Sequence, residues 1–414
     1  MTQVMILGAG MVGITAALEL QKRGYSVAVI DRRGPGEETS FGNAGVIQAE
    51  AVEPYAIPRD VDVLLNYALG RTNDLVYDWR ALLRTAPVLL SYFRNSAPKQ
   101  HKQASALYSQ LVRRSTWDHE PLIEASGQHN LVQKSGYVHA YRSEKAFEQA
   151  RQRADALAKN YGVGVKIEDG EALRLSEPAL RRTLAGGISW TDAWTCTDPG
   201  GLTAGYAKLF IRRGGQMVRG DALSLRKTSA GWSVDTEEGV IDAAQAVVAL
   251  GPWSADLLAR LGYRLRMLLK RGYHGHFDSA IALNRPLMDA ENGIVLSPMS
   301  RGLRIATGAA LVDRDSPPVL RQLNHGEKVA ADLIELGPRI KEPQWYGHRP
   351  CLPDMLPMIG RAPKHDGLWF DLGHGHQGFT LGPTSAVLLA DAMEGKSEPL
   401  LSALAPAARP SVLL

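Results

Sequence analysis

Gly8, Gly10 and Gly13 stand at GxGxxG spacing directly after an apolar run, Val4 to Leu7, and Asp31 closes a second such run. Residues of these types at this spacing suit a bound pyrophosphate and ribose. Gly8 permits a tight turn, Gly10 lets the backbone approach a phosphate, and Gly13 allows close contact between helix and strand. Met11 and Val12 open a helix whose free N–H groups and positive dipole end favour an anion. Asp31 offers acceptors to a ribose diol. Glycines also mark ordinary turns, but here strand, helix and terminal acid all flank them, which favours the dinucleotide reading.

A second set of residues lies near the other end of the chain. Arg349, in His348-Arg349-Pro350, carries a planar guanidinium able to grip a carboxylate through two parallel bonds. Its neighbours Pro350, Leu352 and Pro353 predict a rigid, partly buried position rather than a surface ion pair. His374 and His376 sit in the run GHGHQG, where an imidazole can donate to a substrate, tune a bound ring, take a proton, or simply make a structural hydrogen bond. No carboxylate is read beside this pair, so no metal site is expected. Tyr273 and His274, in RGYHGH, lie on an expected strand, whose side chains alternate between faces.

The elements that must position these groups are legible in outline. Ile14 to Arg23 reads as a helix ended by Gly24, and Ser26 to Ile30 as a strand. Thr39 to Ile47 is a run of small residues, either a loop or a platform against which a flat ring lies. Residues 60–125 read as largely helical. Ala244 to Leu250 is a buried strand running into Gly251, and Leu368 to Leu372 another, ahead of a helix through Met393. Residues 264–280 and 293–312 read as strands of an antiparallel sheet, and His325 to Leu336 as a helix.

A chain of 414 residues exceeds one hydrophobic core, so two domains are expected. A net charge of +4, with no long basic run, argues against nucleic acid. Cys196 and Cys351, the two cysteines, make neither a disulfide framework nor a metal cluster, which fits a reducing compartment. No signal peptide and no spanning helix are read, giving a cytoplasmic expectation. Between Arg59 and Arg114 the basic residues outnumber the acidic ones, as on a solvated helical face or, more sharply, a membrane-surface contact.

Taken in order, GAGMVGITAALEL, TSFGNAGVI, VVALGPWSADLLARLG, HRPCLPDMLPMIGR and GHGHQGFTLGPTSA resemble the flavin-dependent D-amino-acid oxidase family over essentially the whole chain. Within it the match leans to bacterial D-amino-acid dehydrogenases, including D-hydroxyproline dehydrogenases. The resemblance implies FAD, and an α/β fold (α+β overall). A Rossmann-like FAD-binding domain would be assembled from residues 1–60, 190–260 and 340–414. A substrate domain of antiparallel sheet and helices would take 61–189 and 261–339. It further implies Gly8, Gly10, Met11, Val12 and Gly13 at the pyrophosphate, Asp31 at the ribose where most relatives carry Glu, and Arg32 by the adenosine. Ser40, Asn43, Ala44, Gly45 and Val46 would lie beside the isoalloxazine, Leu223 at the adenine and Gly251 under the pyrophosphate. Gly373, Gly378 and Thr380 would face the flavin's pyrimidine end. Arg349 would hold the substrate carboxylate, with His374, His376 and Tyr273 as further pocket candidates. The implied partners are a D-amino acid, with D-proline or cis-4-hydroxy-D-proline leading, and a quinone or other respiratory acceptor at the inner face of the bacterial inner membrane. A glycine- or sarcosine-type amine oxidase, and an FAD-binding subunit of a larger amine dehydrogenase, are the alternatives.

Overall fold

Val4, Met5, Ile6 and Leu7 are fully buried, which a strand achieves only when neighbours and helices cover both of its faces. In the computed structural model, which describes residues 2–70, 72–279 and 281–414, the strand Thr2–Leu7 is central to a seven-stranded sheet. Val27–Asp31 pairs with it in parallel on one side and the end of Gly239–Val248 on the other. Outside these lie the start of Gln216–Thr228 and the strand Leu368–Leu372, both parallel, with Met358–Arg361 antiparallel at the edge. The two long strands then leave the parallel sheet and pair with Gly231–Thr236 as an antiparallel meander.

Helix Met11–Lys22 packs against helix Gly378–Met393, which brings the first glycine turn and the last glycine run to the same end of the sheet. The approach is close. A Cβ on Gly382 would stand 2.8 Å from Met11 Cγ.

The second sheet has eleven strands and is organised on Leu268–Ser279. Gly302–Ala306 and Trp345–Cys351 pair with that strand antiparallel. This corrects one expected boundary. The expected cofactor-domain segment from residue 340 onward includes residues 345–351, but their backbone pairs along Leu268–His274 and carries Arg349 into the second sheet. The expected helix from His325 to Leu336 is Arg321–Leu333 instead. Ile334 is buried in extended backbone and bridges Leu180, so the chain turns to strand before Leu336. A small third sheet joins Val46–Ile47, Trp194–Cys196 and Val132–Gln133. Cys196 and Cys351 are buried free thiols. Among the described residues no helix is long and apolar enough to cross a membrane.

Candidate active site and cofactor cleft

A cavity of about 670 Å³ is lined by residues of both large sheets, within the range of ligand pockets. One end is built from the first βαβ unit and the strand exits beside it. Gly8 lies at φ +112°, and a Cβ there would stand 2.4 Å from the Ala249 carbonyl oxygen. Only glycine fits both that backbone and that approach. Gly13 is not in the wall; a Cβ on it would meet the Gly8 carbonyl at 1.9 Å, so it sets the helix close under the turn. Gly10, Met11 and Val12 line the cavity. Gly251 does as well, and a Cβ built on it would meet nothing within 4 Å. Neither helix Met11–Lys22 nor Gly378–Met393 is capped by the side chain of its own N-cap residue, though Ser40 Oγ accepts from the Met11 N–H at 3.0 Å, and the first residues of both reach the wall. Two helix starts turn partial positive charge toward one cleft.

Asp31 lines the same end with its carboxylate tied to the turn. Its Oδ2 accepts from the Ala9 N–H at 2.7 Å and its Oδ1 from the Arg33 N–H at 2.9 Å. Each oxygen keeps a further lone pair for a diol. Arg32 lies over the Trp253 ring, 4.2 Å from guanidinium to centroid, and both line the cavity with Leu223. A turn bare of side chains, a pinned acid and a flat cationic–aromatic corner fit a dinucleotide with its base at this end.

The small-residue run forms the middle of the wall, and the second sheet holds it from behind. Arg304, buried, donates to the carbonyls of Phe41 and Asn43, and Ser297 Oγ donates to that of Ala44 at 2.7 Å. With its carbonyls bound on that side, the segment presents Ser40, Asn43, Ala44 and Val46 to the cavity. Gly45, expected in this run, and Thr380, expected at the flavin's pyrimidine end, lie outside the lining. Gly45, at φ +72°, packs toward the Cys196 carbonyl, where a Cβ would come within 2.2 Å. Thr380 is buried outside the lining, and its hydroxyl accepts from the Gln48 N–H at 3.2 Å and donates to the Val46 carbonyl at 3.5 Å. Both hold the loop's shape. Trp345 lies across Gly42, whose Cβ would overlap the indole at 1.9 Å. Its other face stacks on His274, with centroids 4.4 Å apart.

Arg349 stands at the far end. Its Nη1 donates to the Gly308 carbonyl at 2.8 Å and its Nη2 to that of Thr307 at 3.0 Å. Among the described residues its other N–H donors take no protein acceptor. The guanidinium rests over Gly272, and a Cβ there would stand 2.7 Å from Nη2. Gly272→Ala is therefore expected to displace the guanidinium and raise KM by roughly tenfold or more, with the flavin spectrum unchanged; overpacking of this kind costs about 1–3 kcal/mol. An unchanged KM in a steady-state titration would contradict that account.

Register decides which neighbours of Arg349 share its face. Lys270 pairs directly with Arg349 and Gly272 with Gly347, so these side chains lie on the cavity face of the sheet. Tyr273 pairs with Tyr346 on the opposite face. Its hydroxyl accepts from Arg271 Nη1 and the Val319 N–H, both at 3.3 Å. The expected pocket role of Tyr273 is thus corrected: only its backbone is placed to reach the cavity, because adjacent strand residues point opposite ways.

His374 and His376 both line the cavity. His374 Nε2 lies 3.3 Å from Asp371 Oδ1, which corrects the expectation that no carboxylate attends the pair. His376 packs edge-on against Tyr55, and its Nε2 has no protein partner. Burial, then the charges of Arg349 and Lys270, push its pKa down to about 3, so it is a neutral imidazole at physiological pH.

Gly373 closes the strand Leu368–Leu372 at φ +80° and, with Gly378, completes this wall. Lys270, Trp345, Trp253 and the tyrosines Tyr55, Tyr67, Tyr92, Tyr108 and Tyr137 also line the cavity and were not singled out from the sequence. The tyrosines come from separate elements and share no spacing. Lys270 becomes visible only once its register with Arg349 is known.

His274, His276 and Glu342 present ligand atoms within 4.8 Å of one another. Arg304 Nε donates to His276 Nε2 at 3.1 Å, while His276 Nδ1 faces Glu342 Oε1 at 2.7 Å. With both His276 nitrogens spent and a guanidinium alongside, Arg304, His276 and Glu342 form a hydrogen-bonded chain behind the loop rather than a cation site, while among the described residues His274 makes no hydrogen bond through its ring and stacks on Trp345.

Residues 3–392 match the family of FAD dependent oxidoreductases, DAO. The chain is similar to a D-amino-acid oxidase of Bradyrhizobium diazoefficiens, 29% identical over 406 residues and covering 95% of each chain. It is also similar to a D-amino acid dehydrogenase of Cereibacter sphaeroides, 30% identical over 427 residues, covering 97% of this chain and 94% of that one. In fold it resembles the solved glycine oxidase of Geobacillus kaustophilus, with a TM-score of 0.70 at 23% identity over 96% and 95% of the two chains. With a match that spans almost all of its length and a cleft shaped for a dinucleotide, the chain belongs to the DAO family of FAD-dependent oxidoreductases.

Proposed function

We propose that this protein is an FAD-dependent dehydrogenase of D-amino acids, acting on D-proline or cis-4-hydroxy-D-proline. The observation that carries the reading is Arg349. It is a guanidinium held by two backbone carbonyls in the wall of the cofactor cleft, with donors left over for a carboxylate. Gly8 to Val12, Asp31 and Arg32 would hold the dinucleotide part of FAD, and Ser40 to Ala44 with Gly373 would border its ring. When bound, FAD supplies the hydride acceptor for the substrate Cα–H.

The chain's own residues supply position and field. Arg349 fixes the carboxylate and with it the orientation of Cα. Neutral His376 offers Nε2 to an amine N–H. The charges of Arg349 and Lys270 disfavour an ammonium beside them, so the substrate nitrogen is held with its lone pair free. No protein base is needed. Tyrosine rings supply apolar contact for a pyrrolidine and hydroxyls for a ring substituent. The GHGHQGFTLGPT segment, which resembles that of hydroxyproline dehydrogenases, supports the cyclic substrate. Relatives named as dehydrogenases support an acceptor other than oxygen; the one proposed is a quinone or other respiratory carrier, met at the inner face of the membrane.

The test is anaerobic addition of D-proline, cis-4-hydroxy-D-proline, D-alanine, glycine and sarcosine to the purified yellow protein. Rapid bleaching is expected with the first two. D-alanine faster than D-proline by tenfold would overturn the specific assignment, and bleaching by sarcosine or glycine alone would overturn the D-amino-acid reading.

A further inference from the structure

Given the substrate reading above, on which this rests, we propose that Asp74 selects the ring substituent, its carboxylate accepting a hydrogen bond from the hydroxyl of cis-4-hydroxy-D-proline. Asp74 lines the cavity. Among the described residues its carboxylate takes no hydrogen bond and no ion pair. Burial, then the charge of Asp289, raises its pKa. A half-buried carboxylate short of donors gains from any donor that a ligand brings to it. The charges of Asp74 and Lys270 both act on the Tyr67 hydroxyl, and all three side chains belong to the same end of the cavity.

The backbone fixes Asp74 beside the arginine. Strand Leu75–Tyr77 pairs in parallel with Ala309–Leu311, and the Asp74 carbonyl accepts from the Ala309 N–H at 2.8 Å. Gln322 Nε2 donates to the Asn73 carbonyl at 2.7 Å. Two glycines of the cavity wall make room for the residue. A Cβ on Gly293 would stand 1.9 Å from Asp74 Oδ1, and one on Gly308 would stand 2.5 Å from the Asp74 carbonyl oxygen. Gly308 is also the residue whose carbonyl holds Arg349 Nη1. Asp74 and Arg349 are thus anchored through one glycine, and a group that reaches Asp74 must leave the substrate ring on the side of its carboxylate. In the cis isomer hydroxyl and carboxylate share a ring face; in the trans isomer they do not. Charge selects a neutral donor. Arg349 and Lys270 bring two cations to this end, and Asp74 with the substrate carboxylate brings two anions. A hydroxyl keeps that balance, whereas an ammonium side chain would add a third cation.

The quantity to measure is the ratio of kcat/KM for cis-4-hydroxy-D-proline to that for D-proline, in the full-length flavoprotein with a dye as acceptor. The ratio cancels any general damage to the fold or the flavin. In Asp74→Ala it is expected to fall by roughly tenfold to a hundredfold, chiefly through KM. In Asp74→Asn, which keeps an acceptor oxygen without the charge, it should fall by less. The same ratio taken with trans-4-hydroxy-D-proline should not follow it. An unchanged cis ratio in Asp74→Ala, with both prolines still bleaching the flavin, would overturn this assignment and leave the substrate reading standing. So would an equal fall for the trans isomer. Turnover of D-lysine or D-arginine above both prolines, abolished in Asp74→Ala, would overturn it as well, since the carboxylate would then pair with a cation. If neither proline bleaches the wild-type flavin, the substrate reading itself has failed and this assignment falls with it.

Discussion

Arg349→Ala is expected to keep its flavin and lose kcat/KM for D-amino acids by roughly a hundredfold to ten-thousandfold. The size follows from the bonds removed. A carboxylate held by two charge-assisted hydrogen bonds gains about 1.5–3 kcal/mol from each, and every 1.4 kcal/mol is a factor of ten. Burial lowers the pKa of Arg349, yet an arginine stays charged, so the full interaction is available. The cofactor end is unaffected, because Gly8, Gly10 and Asp31 hold their geometry through the first sheet. Stability is a separate readout. The Thr307 and Gly308 carbonyls lose their donors in the variant, which costs about 1–3 kcal/mol for each that stays buried and unpaired. Arg349→Lys should recover little of the activity, since a point charge matches neither the fork nor the two carbonyls. Stopped-flow reduction at several substrate concentrations separates binding from chemistry. Wild-type reduction rates and affinity in Arg349→Ala would remove this residue from the carboxylate site and leave Lys270 as the nearest other cation on the same face.

What the sequence made legible follows how local the cause is. The turn from Gly8 to Asp31 was readable because strand, glycines, helix and acid are contiguous, and each constrains the next. Arg349 was readable from its own chemistry and its prolines. Tyr273 was misplaced, and Lys270 overlooked, for one shared reason. Which side of a strand faces a cavity depends on its partner, and Trp345–Cys351 is far from Leu268–Ser279 in the chain. The same strand moved the expected domain boundary. Thr380 and Gly45 sit next to true lining residues in sequence, but their bonds run to Val46, Gln48 and Cys196, so proximity to a motif did not place them in the wall.

Below about pH 6 the protein is expected to lose stability steeply, because several histidines are built into it as neutral acceptors. His348 Nε2 accepts from Arg271 Nε at 3.1 Å, and His276 Nε2 from Arg304 Nε at 3.1 Å. A protonated imidazole would set N–H against N–H beside a fixed cation in each case. His119, buried between the Tyr206 hydroxyl and the Phe379 carbonyl, is held down to about 4 by burial. Burial likewise holds His139 and His348 at about 4 and His274 at about 2, each from 6.5 when free. The sign is fixed by linkage. With folded pKa values below unfolded ones, the unfolded chain binds more protons between pH 6.5 and 4, so stability is whole above 6.5 and falls as pH falls. Glu50 opposes this, since burial raises its pKa to about 7 and the folded state gains from its protonation over the same range. With His376, held at about 3, five histidines against one carboxyl leave a loss of roughly 5 kcal/mol per pH unit near pH 5.5, at about 1.4 kcal/mol for each net proton. Because Arg304 and His276 stand behind the Phe41–Asn43 segment, flavin release should accompany the melt. Thermal melts followed by flavin fluorescence from about pH 7.5 to about pH 5 check this, and a flat melting temperature would contradict it. His348→Gln, which keeps an acceptor for Arg271 and cannot titrate, should make the slope shallower by about 1.4 kcal/mol per pH unit.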